Sequence, residues 1–306
     1  MSVKIWIMSK SSFSNKISKF LLFITIILLV IGAVYYFVFY DEGPRILRSI
    51  DQNNQATDDV DEMDDPEPTK DEELLAIIED HDLTHSGEYG VSVREVTEPQ
   101  RFADYQAEEQ FIAASAYKLF LSYAILDSVE QGDLTLDTDV DGMTTISECI
   151  ETLLLVSSDD CGRELGNLIG WSSVDDFIHQ QGYQDTHLDN YDQFGSLDGD
   201  KKTTAKDQTN FMFKLGKNEL LDSEDHENLI LENLENQVHQ ERIPAGLPQN
   251  IEVANKPGWL YGTIENDTAI IYGEESTYVV SIMTDSATID DIAELSGLIY
   301  EHLNYL

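Results

Sequence analysis

Phe20 to Tyr40 is an apolar run without a single charged residue, and its length matches the ~20 residues a helix needs to cross a bilayer. That run divides the chain before any other pattern is considered. Aromatic residues crowd its far end, as they do at a membrane interface. Lys4, Lys10, Lys16 and Lys19 precede it, whereas only Arg45 and Arg48 follow closely, beside Asp41 and Glu42. Positive charge stays on the cytoplasmic side, so the N-terminus is expected in the cytoplasm and the rest of the chain outside the cell membrane, crossed once. A cleaved signal peptide is the competing reading; the run is longer than the usual signal core, and no small-x-small site follows it convincingly.

The 306 residues show no internal repeat that would suggest an array. They read as a cytoplasmic tail (1–19), an anchor (20–40), a linker (41–70) and one domain (71–306). The linker, with Asp51-Gln52-Asn53-Asn54-Gln55 and Asp58-Asp59-Val60-Asp61-Glu62, has too little apolar content to bury anything and reads as a charge-extended tether. All 59 acidic residues lie beyond position 40, against 14 of the 18 basic ones, a formal charge of −45. Such a surface repels phosphate backbones, so nucleic-acid partners are disfavoured, and the charge reads as a solvated face.

Within the domain, Leu74, Leu75, Ile77 and Ile78 form a stripe suited to a first helix, and Tyr89 to Val96 alternates like a strand. A second short strand is expected ahead of Ser115. From Ala116 to about Gln131 the pattern is helical, with Gly132 as C-cap. Glu148 to Ile169 reads as helix interrupted by a serine-aspartate turn, Ser173 to Gln181 as helix, Thr268–Tyr272 and Thr277–Thr284 as strands, and Ile289 onwards as an amphipathic helix. Strands at both ends of a helical middle describe an α/β (α+β) sandwich, in which N- and C-terminal strands share one antiparallel sheet.

Chemistry concentrates at Ser115-Ala116-Tyr117-Lys118. A hydroxyl and an amine three residues apart meet on one helix face, and a desolvated lysine can take the serine's proton and make it a nucleophile. Lys118 is the one lysine in the chain with a serine three positions before it. Downstream stand Val156-Ser157-Ser158-Asp159-Asp160-Cys161 and Asn255-Lys256-Pro257-Gly258-Trp259. Together these segments resemble the S-x-x-K, S-D-N and K-T-G motifs, in that order, of class A β-lactamase-like serine hydrolases within the penicillin-recognising acyltransferases. The resemblance runs from about Glu72 to Leu306 and implies the β-lactamase/transpeptidase-like fold.

It also implies roles. Ser115 would be acylated, Lys118 would accept or relay its proton, Ser157 would pass a proton to the leaving nitrogen, and Lys256 would keep the local field positive and help bind a substrate carboxylate. The backbone N–H groups of Ser115 and Trp259 would form the oxyanion hole after Gly258. The middle motif can be read from Ser157 or from Ser158. Many cell-surface relatives carry a cysteine just after the triplet and another twelve residues earlier; this fits Cys149 and Cys161 and favours Ser157, with Asp159 in the asparagine position. Two cysteines in an extracytoplasmic domain are compatible with one disulfide, Cys149–Cys161, with two buried free thiols as the alternative.

Three departures stand out. Asp159 replaces an amide with a carboxylate. Pro257 removes a hydroxyl that can touch a substrate carboxylate, a loss that Arg242, fourteen residues before Lys256, could offset by binding the carboxylate bidentately; a surface ion pair is its rival role. Finally, Gly182 through Lys206 contains no glutamate, where class A enzymes keep the residue that activates the deacylating water, leaving Asp185, Asp189 and Asp192 as the carboxylates there. No cofactor is expected; zinc is disfavoured because the cysteines lack C-x-x-C spacing and the histidines do not cluster with them. The expected function is an anchored, extracytoplasmic serine hydrolase acting on cell-wall peptide amides or β-lactams, its partners being a small-molecule or peptide substrate and the membrane. A true class A β-lactamase and a catalytically silent cell-wall-binding module are the alternatives.

Overall fold

The structure, a computed structural model, describes residues 67–189 and 201–305. The run Phe20–Tyr40 and most of the acidic segment lie outside them, as does Asp192. No helix among the described residues is long and apolar enough to cross a membrane.

A six-stranded sheet organises the domain. Its strands are β1 (Thr69–Lys70), β2 (Glu88–Glu95), β3 (Arg101–Tyr105), β6 (Glu252–Leu260), β7 (Ile264–Tyr272) and β8 (Thr277–Asp285), in the order β1-β3-β2-β8-β7-β6. Strands from the two chain ends therefore pair centrally, β2 against β8. The expectation of a wholly antiparallel sheet needs one correction: two-residue β1 runs parallel to β3, because α1 (Glu72–Thr84) and β2 separate them and return the chain in the same direction.

Side-chain alternation gives the sheet two apolar faces. Val279 of β8 and Ile270 of β7 join the core built by α2 (Lys118–Glu130), α3 (Ile146–Leu155), α4 (Asp159–Ile169), α5 (Trp171–Gln180), α6 (Ala205–Gly216) and α7 (Glu224–Glu235). Their strand neighbours Tyr278, Val280, Ile282 and Ile271 turn to the other side, against α1 and α8 (Ile289–Tyr305). The sheet is thus covered on both faces, by the helical middle on one and by the terminal helices on the other.

Helix ends follow local chemistry. Thr145 and Glu148 form a reciprocal capping box at the start of α3, Asp71 caps α1 and Thr204 caps α6. Cys149 of α3 and Cys161 of α4 are disulfide-bonded, tying together the two helices that flank the serine-aspartate turn.

Candidate active site

Three chain segments converge at the outer strand β6. The first is the stretch before Ser115. Short strands β4 (Phe111–Ile112) and β5 (Lys202–Thr203) pair, and Ala113 N–H donates to the Lys201 carbonyl at 2.8 Å. From the other side Asn266 Nδ2 donates to the carbonyls of Ile112 (2.9 Å) and Ala113 (3.3 Å). The chain then enters a 3-10 turn, Ala114–Tyr117, before α2 begins at Lys118. Sequence periodicity suggested α-helix from Ala116. The tighter turn serves the chemistry better, because residues i and i+3 eclipse in a 3-10 helix: Lys118 Nζ lies 3.0 Å from Ser115 Oγ. The dipole of α2 also points its positive end at this turn.

The second segment is the α3–α4 turn. Ser157 sits at φ +59°, left-handed backbone that costs a non-glycine residue about 1 kcal/mol or more. The conformation is held by its carbonyl, which accepts from Lys118 Nζ at 2.7 Å, and it brings Ser157 Oγ within 3.2 Å of the same amine. Ser158, by contrast, turns away and caps α4 through Cys161 N–H. The structure thus brings Ser157, not Ser158, to the lysines. Asp159 Oδ1 reaches Lys118 Nζ at 2.6 Å from a side chain that is 88% exposed.

The third segment is β6 itself. Lys256 Nζ donates to Ser157 Oγ at 2.9 Å and to the Pro257 carbonyl at 3.1 Å. Gly258 follows where the strand passes the Ser115 turn. A Cβ there would stand 2.8 Å from Ala113 O and 2.9 Å from the backbone nitrogens of both Ser115 and Ala116. Only glycine permits this approach, since real side chains do not reach backbone atoms so closely.

Burial sets the electrostatics. Lys118 and Lys256 are both fully buried. Desolvation pulls the Lys118 amine below its ordinary value, opposed by the hydrogen bond and charge of Asp159. Desolvation lowers Lys256 further, well below the usual range, and the neighbouring Lys118 charge adds to the effect. Lys118 Nζ faces four oxygens within 3.2 Å, one more than an ammonium has protons. As an ammonium it shares its three protons among them, and loss of one proton would free a lone pair towards the Ser115 hydroxyl.

Arg242 forms an ion pair, the rival role foreseen for it, but beneath the surface rather than on it. It is buried, its Nε donates to Glu265 Oε2 at 2.9 Å, and its Nη2 bonds the same oxygen. Its guanidinium carbon lies 5.1 Å from the centre of the Trp259 ring, which also meets His239 edge-on. Glu265 competes with any ligand for this guanidinium because β6–β7 pairing sets Trp259 opposite Glu265.

Sequence reading passed over Glu265-Asn266-Asp267, although three consecutive polar residues running into the apolar strand Thr268–Tyr272 are a recognisable signal. Asn266 holds the segment leading to Ser115 while its Oδ1 accepts from Thr284 N–H at 2.9 Å. Asp267 is buried beneath the β6 lysine motif, accepting from Asn255 Nδ2 at 3.1 Å and Ile243 N–H at 3.1 Å; burial pushes its carboxyl up to about 7. Lys201 was also missed. Its amine donates to the Leu188 carbonyl, lies 3.5 Å from the Trp171 ring centre, and is drawn down to about 8 by burial. Neither Asp185 nor Asp189 is bonded to Ser115 or Lys118 among the described residues.

Residues 71–303 match the model of the beta-lactamase enzyme family. A search of curated proteins found no match. Among solved structures, a β-lactamase from Burkholderia vietnamiensis is similar at 19% identity over 76% of this chain and 97% of that one, with a TM-score of 0.67. PBP-A is similar at 18% identity over 78% and 98%, TM-score 0.70, and a variant of it has been seen as an acyl-enzyme with penicillin G. An ancestral class A β-lactamase matches at 22% identity over 75% and 99%, TM-score 0.65. At these identities the structural matches establish the shared fold.

Proposed function

This chain belongs to the beta-lactamase enzyme family, as a serine hydrolase of that type, and we propose that it works through an acyl-Ser115 intermediate on cell-wall peptide amides or β-lactams. The observation that carries the reading is the position of Lys118 Nζ, 3.0 Å from Ser115 Oγ and 3.2 Å from Ser157 Oγ. Neutral Lys118 removes the Ser115 proton as Oγ attacks the carbonyl carbon. The oxyanion that forms is met by the backbone N–H groups of Ser115 and Trp259, brought together by the Gly258 approach. Ser157, bonded to both lysine amines, passes the proton from Lys118 to the leaving nitrogen as the C–N bond breaks, with Lys256 stabilising its alkoxide character. Water then hydrolyses the ester and regenerates Ser115.

Deacylation is the slower half. The stretch from Gly182 to Lys206 offers no glutamate, so the acyl-enzyme accumulates, as suits a peptidase or transpeptidase. β-Lactam hydrolysis is the second reading, favoured by the family match itself. The charge pattern around Phe20–Tyr40 supports a single-pass anchor, with the catalytic domain held outside the cell membrane on the acidic tether, within reach of wall peptide.

Intact-mass spectrometry of the whole protein incubated with penicillin G, followed over time, tests this reading. A persistent adduct on wild type and none on Ser115→Ala supports the slow-deacylating enzyme. Rapid product without adduct favours the β-lactamase. A Ser115→Ala protein that is labelled like wild type contradicts both.

A further inference from the structure

Three basic side chains stand around strand β6, and each is already engaged. Lys118 is paired with Asp159 at 2.6 Å. Lys256, fully buried, donates to Ser157 and the Pro257 carbonyl. Arg242, only 6% exposed, spends two nitrogens on one Glu265 oxygen, with Glu241 3.9 Å from a third and the Trp259 ring against its face. The pair also sits where it would matter. Glu265 lies opposite Trp259 across the hairpin, one residue from Gly258, whose missing Cβ marks the contact with Ser115 N.

Resting on the acyl-Ser115 reading above, we propose that the Arg242–Glu265 pair makes this site selective for acyl donors with no free carboxylate beside the scissile bond. A substrate carboxylate would have to displace a carboxylate already covalently fixed at the right distance, and the exposed Asp159 adds a like charge nearby. Pro257 offers no hydroxyl in compensation. A neutral group leaves the pair intact. The preferred substrate is therefore an internal or capped amide or ester, a bond within a peptide rather than at its C-terminal end, and penicillins, which carry a carboxylate, acylate Ser115 more slowly than such donors. Glu265 is the specificity-determining residue, acting through Arg242.

The test uses two thioesters with the same N-acylglycyl group, one leaving as mercaptoacetate and the other as its methyl ester. For each, kcat/KM with the whole protein is divided by the substrate's own alkaline hydrolysis rate. Wild type is expected to favour the methyl ester by about tenfold or more. In Glu265→Gln the guanidinium is released, and the carboxylate:ester ratio should rise about 10- to 100-fold, the worth of a charge-assisted hydrogen bond. A wild-type preference for the carboxylate overturns the proposal without touching the acyl-serine reading, as does an unchanged ratio in folded Glu265→Gln. If neither thioester acylates Ser115, the acyl-serine reading falls and this proposal with it.

Discussion

Asp159→Asn isolates the electrostatics of the site. The carboxylate touches Lys118 Nζ at 2.6 Å and raises an amine that burial otherwise lowers. A hydrogen bond to a charged group is worth ~1.5–3 kcal/mol, whereas exposed ion pairs are worth ~0.2–1 kcal/mol. Here the amine is fully buried and the carboxylate is 88% exposed, so about 1–2 kcal/mol is reasonable, or roughly one pKa unit. In the proposed mechanism Lys118 acts as the neutral base, so kcat/KM for acylation rises with pH through the Lys118 pKa. Removing the carboxylate lowers that pKa. The acidic limb of the kcat/KM profile should move about one unit towards lower pH, and the rate on that limb should rise up to about tenfold, tempered by the weaker basicity of the amine. The assay is stopped-flow acylation by a chromogenic ester from pH 5 to 10. A limb that stays put or moves to higher pH would refute the assignment of Lys118 as the proton acceptor under Asp159 control.

Gly258→Ala forces a Cβ into the backbone of residues 113–116, so acylation should fall by about 100-fold or more, as when an oxyanion donor is displaced, with a stability loss of about 1–3 kcal/mol in urea. Lys256→Met should do the opposite to stability, raising it by ~1–3 kcal/mol at pH 7 while abolishing turnover. The native amine loses its proton well below 10.5, so the unfolded state binds more protons in that window and wild-type stability climbs with pH. The gap between variant and wild type should therefore narrow towards pH 10.5, as thermal melts at several pH values will show. Cys149→Ser opens a disulfide with a sequence separation of 12, for which loop entropy predicts a loss of about 3 kcal/mol. Because the loop contains Ser157, acylation should slow as well.

The side chains of the candidate site were legible because their chemistry is scarce in so acidic a chain. Few lysines compete with Lys118 and Lys256, and the cysteine spacing shared with the resembling family favoured the Ser157 register, the serine that the structure brings to both lysines. The terminal strands and most helices were legible too, through plain apolar alternation and periodicity. Strand β6 escaped notice for the same reason that it functions: Asn255, Lys256, Pro257 and Gly258 put buried polar groups, a proline and a glycine where a strand signal needs β-branched residues. Helices α6 and α7 were not delimited in advance, their apolar stripes being diluted by lysine, asparagine and glutamate. The pairing of Arg242 was hidden because Glu265 is 23 residues away and meets it only once β6 and β7 have formed their hairpin.

The acylation of Ser115 is tested most directly by a neutral fluorophosphonate, which bears no carboxylate and so bypasses the question of substrate charge. Whole protein is incubated with the probe, digested, and mapped by tandem mass spectrometry. The account predicts stoichiometric phosphonylation at Ser115, lost in Lys118→Met although the serine remains. Labelling at another residue, or undiminished labelling of Ser115 without the Lys118 amine, would contradict it.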